Sequence, residues 1–289
     1  MKRRKISYFR FIVLSFMLII LALIAGCGGT FPTEPIINSF LANPPTIIEG
    51  ESSTLSWGVT DATSVSIDHD IGSVGLTGNI AVNPIVTTTY TLRATNTAVS
   101  VTAKTTIAVT PKTTIILQPG PEGIDAGVSS RFPSNRCGNY TYSWSGNSAD
   151  SIMRTYIKFD LRTIPTDAKV IDAKLKLYQY YMGGSDNFTI GLYKVTSDWK
   201  ESTIDWDTQP TCSCNVEALC DIIVSSNIWR SWDIDALVQG WLDESIDNYG
   251  MLLKDTDETS VNSFATFYTS DYTDDPSKRP KLEIDYYIP

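Results

Sequence analysis

Aromatic and basic residues alternate along two segments in the second half of this 289-residue chain. Arg154, Tyr156 and Lys158 are two positions apart, so in an extended strand they share one face. A second segment repeats the pattern with Lys174, Lys176, Tyr178 and Tyr180. Aromatic rings stack on the C–H faces of sugars, and Lys and Arg pair with carboxylates. Together the segments predict a stripe suited to an anionic polysaccharide, the alternative being an ordinary solvated sheet face.

A second aromatic set stands at Tyr140, Tyr142 and Trp144, on one face of an extended segment. The segment follows Cys137 and lies among Asn, Gly and Ser residues, which is typical of a loop. Loops at the edge of a sandwich often bind ligands. We therefore expect a second glycan contact here, with ordinary packing as the alternative.

Nucleophilic catalysis in the second half of the chain is excluded by its histidine content. His69 is the only histidine, and it lies in the first half. A Ser-His-Asp or Cys-His system, or a His-ligated zinc site, cannot form without one in the second half. Paired carboxylates cleave glycosides, but the 32 acidic residues supply pairs anywhere. We assign no catalytic residue and expect no enzyme.

Acid-rich loops suggest one structural calcium ion, because Ca²⁺ takes hard oxygen ligands. The alternative is loop charge that is simply solvated. The candidate ligands are Asp125, Asp255, Asp257, Asp271 and Asp274.

Four cysteines follow residue 27: Cys137, Cys212, Cys214 and Cys220. In an exported protein we expect at least one disulfide. Four thiols allow three pairings, and the sequence does not choose among them. A zinc site that uses all four cysteines is the alternative, although the usual Cys-x₂-Cys spacing is absent.

The first 26 residues have a basic start, a 15-residue apolar run from Phe11 to Ala25 and a small-residue exit. These are the features of an export signal. The ending Ile24-Ala-Gly-Cys27 resembles the lipobox of prokaryotic lipoproteins. The resemblance implies cleavage before Cys27, lipid on its thiol, and a protein anchored to the cell envelope outside the cytoplasm. An uncleaved anchor helix is the alternative.

The overall charge argues against a nucleic-acid partner. The chain has 32 acidic against 23 basic residues, a net charge of −9, and five of the basic residues lie in the leader. Phosphate binding needs a basic footprint, which the remaining chain lacks. A hydrophobic content of 42% is enough for a packed core.

Two all-β domains follow a tether at residues 27–35. Residues 36–110 contain short alternating runs rich in Thr, Val and Ile, which indicate a sandwich. Pro44-Pro45, Leu55-Ser-Trp57 and the run 87–92 resemble immunoglobulin-like modules of prokaryotic surface proteins. Residues 111–289 predict a larger jelly-roll sandwich with one short helix at 234–242, where Asp233 would be the N-cap.

Residues 120–287 resemble DNRLRE-type domains, which are similar to jelly-roll carbohydrate-binding modules. Seven collinear segments carry the resemblance, at residues 154–165, 173–178, 193–210, 232–241, 248–254, 267–271 and 279–282. The literal DNRLRE string is absent, and residues 212–220 look like an insertion. Large rings within these segments are expected in the core: Trp199, Trp206, Trp232 and Trp241.

The resemblance implies a surface protein that binds extracellular polysaccharide without catalysis, with uronic-acid-rich glycans as the finer expectation. Two alternatives stay open. One is a structural or adhesive envelope protein with protein partners, and the other is a polysaccharide lyase or glycoside hydrolase.

Overall fold

The computed structural model describes residues 33–259 and 262–289, so the predicted export signal and Cys27 lie outside the described residues. The chain divides into two compact units between Ala108 and Val109. In the part of the chain that the structure describes, no helix has the length and apolar character needed to cross a membrane.

The first unit is built from two antiparallel sheets. One has the strand order β1-β3-β6 and the other β2-β8-β7-β4-β5. Strand β3 alternates, with Leu55, Trp57 and Val59 buried and the residues between them more exposed. The strands are β1 (Ile36–Asn43), β2 (Thr46–Ile48), β3 (Ser53–Thr60), β4 (Ser64–Ile67), β5 (Gly72–Val74), β6 (Thr77–Val82), β7 (Thr88–Thr95) and β8 (Ser100–Thr110).

The described residues of the second unit form one continuous network of eleven strands with one α-helix, α1 (Asp235–Leu242), and a short 3₁₀ helix at Pro276–Lys278. Its strands are β9 (Thr113–Leu117), β10 (Ile124–Ser129), β11 (Tyr142–Ser148), β12 (Ser151–Lys158), β13 (Lys169–Gly183), β14 (Phe188–Val195), β15 (Cys212–Ile222), β16 (Ile228–Asp233), β17 (Met251–Asp255), β18 (Phe264–Tyr268) and β19 (Lys281–Tyr287). The prediction of an all-β sandwich protein with one short helix is confirmed.

The order of the strands in the second unit brings distant segments side by side. The path runs β15-β14-β17-β12-β11-β18-β13-β19-β9, while β10 also pairs with β12 and β16 with β13. Strand β13 is therefore a hub, because β16, β18 and β19 all pair with it. Residues from β11, β13, β16 and β18 consequently share one sheet surface.

The core of the second unit lies under the inner face of these strands. Leu175 and Leu177 of β13 are buried, together with Phe267 of β18 and Trp232 of β16. The indole N–H of Trp232 donates to the carbonyl oxygen of Ile190 at 3.0 Å, so even its polar atom is satisfied. Burying residues of this size is the main stabilising contribution in the unit.

The predicted helix begins one residue later than expected, and its N-cap differs. Ile234 occupies the N-cap without a side-chain hydrogen bond, whereas Asp233 lies 3.5 Å from Lys174. Asp235 uses its carboxylate to accept a bond from the main-chain N–H of Ala173 at 2.6 Å. The acid therefore ties the helix to β13 rather than capping it. The predicted apolar stripe, with Leu237, Val238 and Trp241, is buried as expected.

The four cysteines of the second unit are free thiols in the structure. Cys137 is buried, whereas Cys212, Cys214 and Cys220 lie along the single strand β15. Eight residues of extended chain separate Cys212 from Cys220 by roughly 25 Å, which is beyond disulfide geometry. This placement rules out a bridge from Cys220 to Cys212 or Cys214, and also a zinc site that uses all four cysteines.

Trp229 and Trp232 lie on opposite faces of β16 and provide a matched pair. Trp232 is fully buried, whereas Trp229 is partly exposed. We expect Trp232→Ala to lower the free energy of unfolding by about 3–5 kcal/mol, because it leaves a large cavity. Trp229→Ala removes only surface ring contacts, worth about 1 kcal/mol. Urea unfolding of the two variants measures the difference, and equal losses would contradict the assigned faces.

Candidate functional site: an aromatic sheet face

Eight aromatic side chains meet on the outer face of the sheet in the second unit. Alternation places the rings of the strands there: Leu175 and Leu177 point into the core, so Tyr178 and Tyr180 project from the opposite side of β13. The register pairs Tyr178 with Trp229, and Tyr142 with Tyr268. We call this surface the aromatic face, and it comprises Tyr140, Tyr142, Trp144, Tyr178, Tyr180, Trp229, Tyr268 and Tyr272.

A stack of parallel tyrosine rings occupies the centre of the aromatic face. The ring of Tyr268 lies 3.6 Å from that of Tyr272 and 4.4 Å from that of Tyr180, with interplanar angles of 11° in both pairs. Two rings this close and parallel cannot share one side of Tyr268, so they cover its two faces. Tyr178 is also parallel to Tyr268, at 6.0 Å. We call Tyr178, Tyr180, Tyr268 and Tyr272 the tyrosine row.

Because the faces of the stacked rings cover one another, the tyrosine row offers ring edges and hydroxyl groups to a ligand. A hydrogen bond to Tyr268 raises the pKa of Tyr272 to about 12. Burial among the neighbouring tyrosines raises the pKa of Tyr180. Both hydroxyls therefore stay protonated near neutral pH, and a phenol donates and accepts hydrogen bonds. This suits a ligand that carries many hydroxyl groups.

Open ring faces occur at one end of the aromatic face, in a cleft of about 320 Å³. Tyr140 and Trp144 line it on the side of the tyrosine row, and Phe132 and Arg131 also line it. Phe132 is 53% exposed and Tyr140 40% exposed, so their rings are available for stacking. A volume of this size is at the lower end of the range for small-molecule sites, about 300–1,000 Å³. The cleft continues the aromatic face through shared residues.

Lysines border the aromatic face, and each is paired with an acid. The Nζ of Lys278 lies 5.1 Å above the ring of Tyr178 and 3.3 Å from Asp275. The Nζ of Lys281 lies 4.7 Å above the ring of Trp229 and 2.9 Å from Glu283. Burial alone would raise the pKa of Glu283, but hydrogen bonds from Lys176 and Lys281 lower it below its usual value. The rim is therefore close to neutral.

Two further predicted lysines lie on the same face of β13, because they alternate with buried residues. Lys174 pairs with Asp172 and with Asp233. Lys176 pairs with Glu283 at 2.5 Å. Both are partly buried and held by carboxylates, so neither offers an unpaired ammonium group to a ligand.

The predicted stripe must be corrected on β12, because Tyr156 is an interior residue. It is 1% exposed and packs with Tyr193 and Trp199 in a second apolar cluster. Burial raises its pKa, and its hydroxyl donates to the amide oxygen of Gln209 at 3.0 Å. Trp199 and Gln209 lie in the connection between β14 and β15, so this connection covers the face of β12 that the alternation left open.

Arg154 is held in the same covered region. Its guanidinium binds the carboxylate of Glu258 through two bonds of 2.7 Å and the amide oxygen of Gln209 at 3.0 Å. It also lies 4.8 Å from the ring of Trp206. Lys158 is separate from both groups: its Nζ is 6.0 Å from the ring of Tyr249, and it lines another cavity, of about 560 Å³. Neither residue reaches the aromatic face.

The predicted calcium ligands are spread over different places in the second unit. Asp125 and Asp255 are buried, and burial raises the pKa of both. Each has one carboxylate oxygen without a hydrogen-bond partner. Burial also raises the pKa of Asp271, whereas Asp274 is exposed and the Oδ1 of Asp257 accepts bonds from Thr259. Among the described residues, no three acidic, cysteine or histidine side chains lie close enough to hold a metal ion by themselves.

Four aromatic residues of this site were not predicted from the sequence: Trp229, Tyr268, Tyr272 and Phe132. Tyr268 comes from a five-residue strand whose partners, β11 and β13, are far away in the chain. Tyr272 lies in a turn, where strand alternation carries no signal. The structure does join Tyr142 to Tyr180, with ring centroids 6.4 Å apart, so the two aromatic sets predicted separately form one surface.

The family model for carbohydrate-binding module family 96 matches residues 122–286. An uncharacterized protein of Ruminiclostridium cellulolyticum is 42% identical over 64 residues, which are 22% of this chain and 18% of that protein. The chain thus matches less than a fifth of that relative's length.

Two solved structures show weak overall likeness. An I-band fragment of titin has a TM-score of 0.23 at 10% identity, covering 70% of this chain and 88% of the fragment. A SusE-like protein has a TM-score of 0.17 at 11% identity, covering 88% of this chain and 95% of that protein. At these scores neither likeness carries an argument.

Arg154 stabilises the fold through its bonds to Glu258 and Gln209, so its removal should lower the stability of the protein. Arg154→Ala removes both short bonds to the partly buried carboxylate of Glu258 and leaves it with Lys254 alone, at 3.5 Å, so we expect the free energy of unfolding to fall by about 2–4 kcal/mol. Arg162→Ala is the matched control, because the pair of Arg162 with Asp160 is solvated and should contribute nothing measurable. Thermal and urea unfolding test both variants, and an unchanged stability of Arg154→Ala would contradict this role.

Proposed function

The chain belongs to carbohydrate-binding module family 96, and we propose that the aromatic face of its second unit binds polysaccharide without catalysis. The family match covers the strands that build this surface, β11, β13, β16 and β18. The observation that carries the proposal is the joining of eight aromatic side chains, with phenol hydroxyls and open ring faces, on one sheet surface. Such a surface stacks on sugar rings and exchanges hydrogen bonds with their hydroxyls.

The binding mode combines two parts of this surface. The tyrosine row offers edges and hydroxyls along the middle, and the cleft lined by Tyr140, Trp144 and Phe132 offers open ring faces at one end. A polysaccharide laid across strands β11, β18 and β13 contacts both parts. The surface is preorganised, because the rings fix one another by stacking, so little side-chain entropy is lost on binding.

The finer proposal is that the glycan carries uronic acid carboxylates. The ammonium groups of Lys278 and Lys281 support it, since both lie over rings at the edge of the aromatic face. Asp275 and Glu283 already pair with them, so a uronate has to share these cations. The carboxylate contribution is therefore expected to be modest and sensitive to salt.

Catalysis is not part of this proposal. The second unit has no histidine, and its buried acids, Asp125, Asp205 and Asp255, are not part of the aromatic face. We also propose, from the sequence of the leader, that lipid on Cys27 holds the protein at the cell envelope. A structural envelope protein with protein partners is the competing function, and failure of a folded protein to bind any glycan would favour it.

Removal of two rings of the tyrosine row tests the site. We expect Tyr178→Ala/Tyr180→Ala to weaken polysaccharide binding by about tenfold, since each ring contributes about 0.5–1.5 kcal/mol. Isothermal titration calorimetry against soluble polysaccharides measures the affinity. A parallel assay for new reducing ends or unsaturated products should stay negative.

Tyr287→Ala is the control for that variant. Tyr287 is a partly buried tyrosine that pairs with Lys169, the first residue of β13, and is therefore remote from the tyrosine row. Its removal should leave the affinity unchanged. Wild-type affinity of the folded double variant would place the binding site elsewhere, and release of products would refute a purely binding function.

Removal of the two lysine charges at the edge of the aromatic face tests the uronate proposal separately. We expect Lys278→Met/Lys281→Met to weaken binding of a uronic-acid polymer about fivefold and to leave a neutral polymer unaffected, because only the former uses the ammonium groups. The wild-type affinity for the uronic-acid polymer should also fall as NaCl rises from 50 to 500 mM. Equal effects on both polymers would leave polysaccharide binding intact but refute the preference for uronates.

A further inference from the structure

Two buried oxygen atoms next to the tyrosine row have no hydrogen-bond partner. They are Oδ1 of Asp125 and Oγ of Ser270, whose residues are 2% and 0% exposed. The two side chains are neighbours, because Oδ2 of Asp125 accepts a bond from the main-chain N–H of Ser270 at 2.9 Å. A buried polar atom without a partner costs about 1–3 kcal/mol, and more if it is charged. A ligand bound between these neighbouring residues would satisfy both atoms.

Further acidic groups surround this position. Glu201 accepts a hydrogen bond from the main-chain N–H of Asp125 at 3.0 Å. Asp271 follows Ser270 directly in the chain. A bound cation would offset the repulsion between carboxylates gathered at one position.

The main chain at Gly123 comes close to the side chain of Ser270. A Cβ atom at Gly123 would lie 2.7 Å from Oγ of Ser270 and 3.1 Å from the carbonyl oxygen of Gly120. Only glycine therefore fits at position 123. Because it has no side chain, the main chain of this loop lies directly beside the hydroxyl group of Ser270. Carbonyl oxygens and hydroxyls are ligands that calcium accepts beside carboxylates.

We propose that Asp125 and Ser270, completed by Glu201 or Asp271 and by water, form a binding site for Ca²⁺. Such a site uses two carboxylates and takes its other ligands from neutral oxygen atoms. It is therefore consistent with the absence of any cluster of three acids in the described part of the chain. Calcium tolerates irregular coordination by six to eight oxygens, whereas Mg²⁺ demands near-octahedral geometry. Of the five predicted calcium ligands, this site uses Asp125, with Asp271 as a candidate to complete the coordination.

An ion bound at Ser270 would affect the tyrosine row, because Ser270 lies close to Tyr268 and Tyr272 in the chain. Ser270 is the second residue after β18, and the turn there carries Tyr272, whose ring covers one face of Tyr268. The guanidinium of Arg279 donates to the carbonyl oxygen of Tyr272 at 2.7 Å from the other side of this turn. An ion on Ser270 therefore fixes the end of the tyrosine row.

Thermal unfolding of the whole protein with and without calcium tests the site and needs no glycan. At a calcium concentration 100-fold above the dissociation constant, we expect the unfolding temperature to rise by about 5–10 °C over that in EDTA. Magnesium at the same concentration should give a much smaller rise. No shift with calcium and no heat in calorimetric titration would overturn the proposal, and would mean that water satisfies the two oxygens.

Two isosteric variants locate the ion. Asp125→Asn keeps an acceptor for the N–H of Ser270 and should abolish the calcium-induced shift. Asp255→Asn is the matched control, because Asp255 is also buried with an unpaired oxygen, Oδ2, but lies on β17. It should leave the shift intact. If Asp255→Asn removes the shift and Asp125→Asn does not, the site is refuted, and Ser270→Ala provides a second check should Asp125→Asn fail to fold.

Discussion

Burial of one face of β13 is the constraint on which the rest of the second unit depends. Leu175 and Leu177 must reach the core that contains Trp232 and Phe267, and this fixes the register of three neighbouring strands at once. Because side chains alternate, the same register sends Tyr178 and Tyr180 outward, to meet Tyr268. A slip of one residue would exchange core and binding surface, so stability and the geometry of the site are selected together.

The outward direction of Tyr178 and Tyr180 was predictable from the sequence, because one face of β13 packs on the core and the other faces solvent. The same alternation at Arg154, Tyr156 and Lys158 gave a wrong surface, since the period of a strand shows which residues share a face but not what covers that face. Trp199 and Trp206, in the segment that folds over β12, carried the missing signal. Large apolar rings in a connection need a surface to pack on, and the second face of a neighbouring strand provides it.

Long-range pairing set the other limit. Tyr142 and Tyr268 are neighbours only because β11 pairs with β18, a contact between segments more than a hundred residues apart. No local pattern identifies such a pair, whereas helix periodicity found α1 within one residue at its start. The helix cap was missed for a related reason: Asp235 has a tertiary partner, the N–H of Ala173, that competes with local capping.

Arg230 is a buried charge in this unit that the protein itself satisfies. Arg230 is 7% exposed, yet its guanidinium donates to Gln179, to Ser225 and to the carbonyl oxygens of Asp221 and Ile223. Burial lowers its pKa, but every bond it makes favours the charged form. Asp125 has no comparable set of donors, since only one of its oxygens accepts a bond from the protein. Arg230 is therefore part of the framework, because the protein supplies all its hydrogen-bond partners. Asp125 needs a partner from solution, and a buried polar group of this kind marks a binding site.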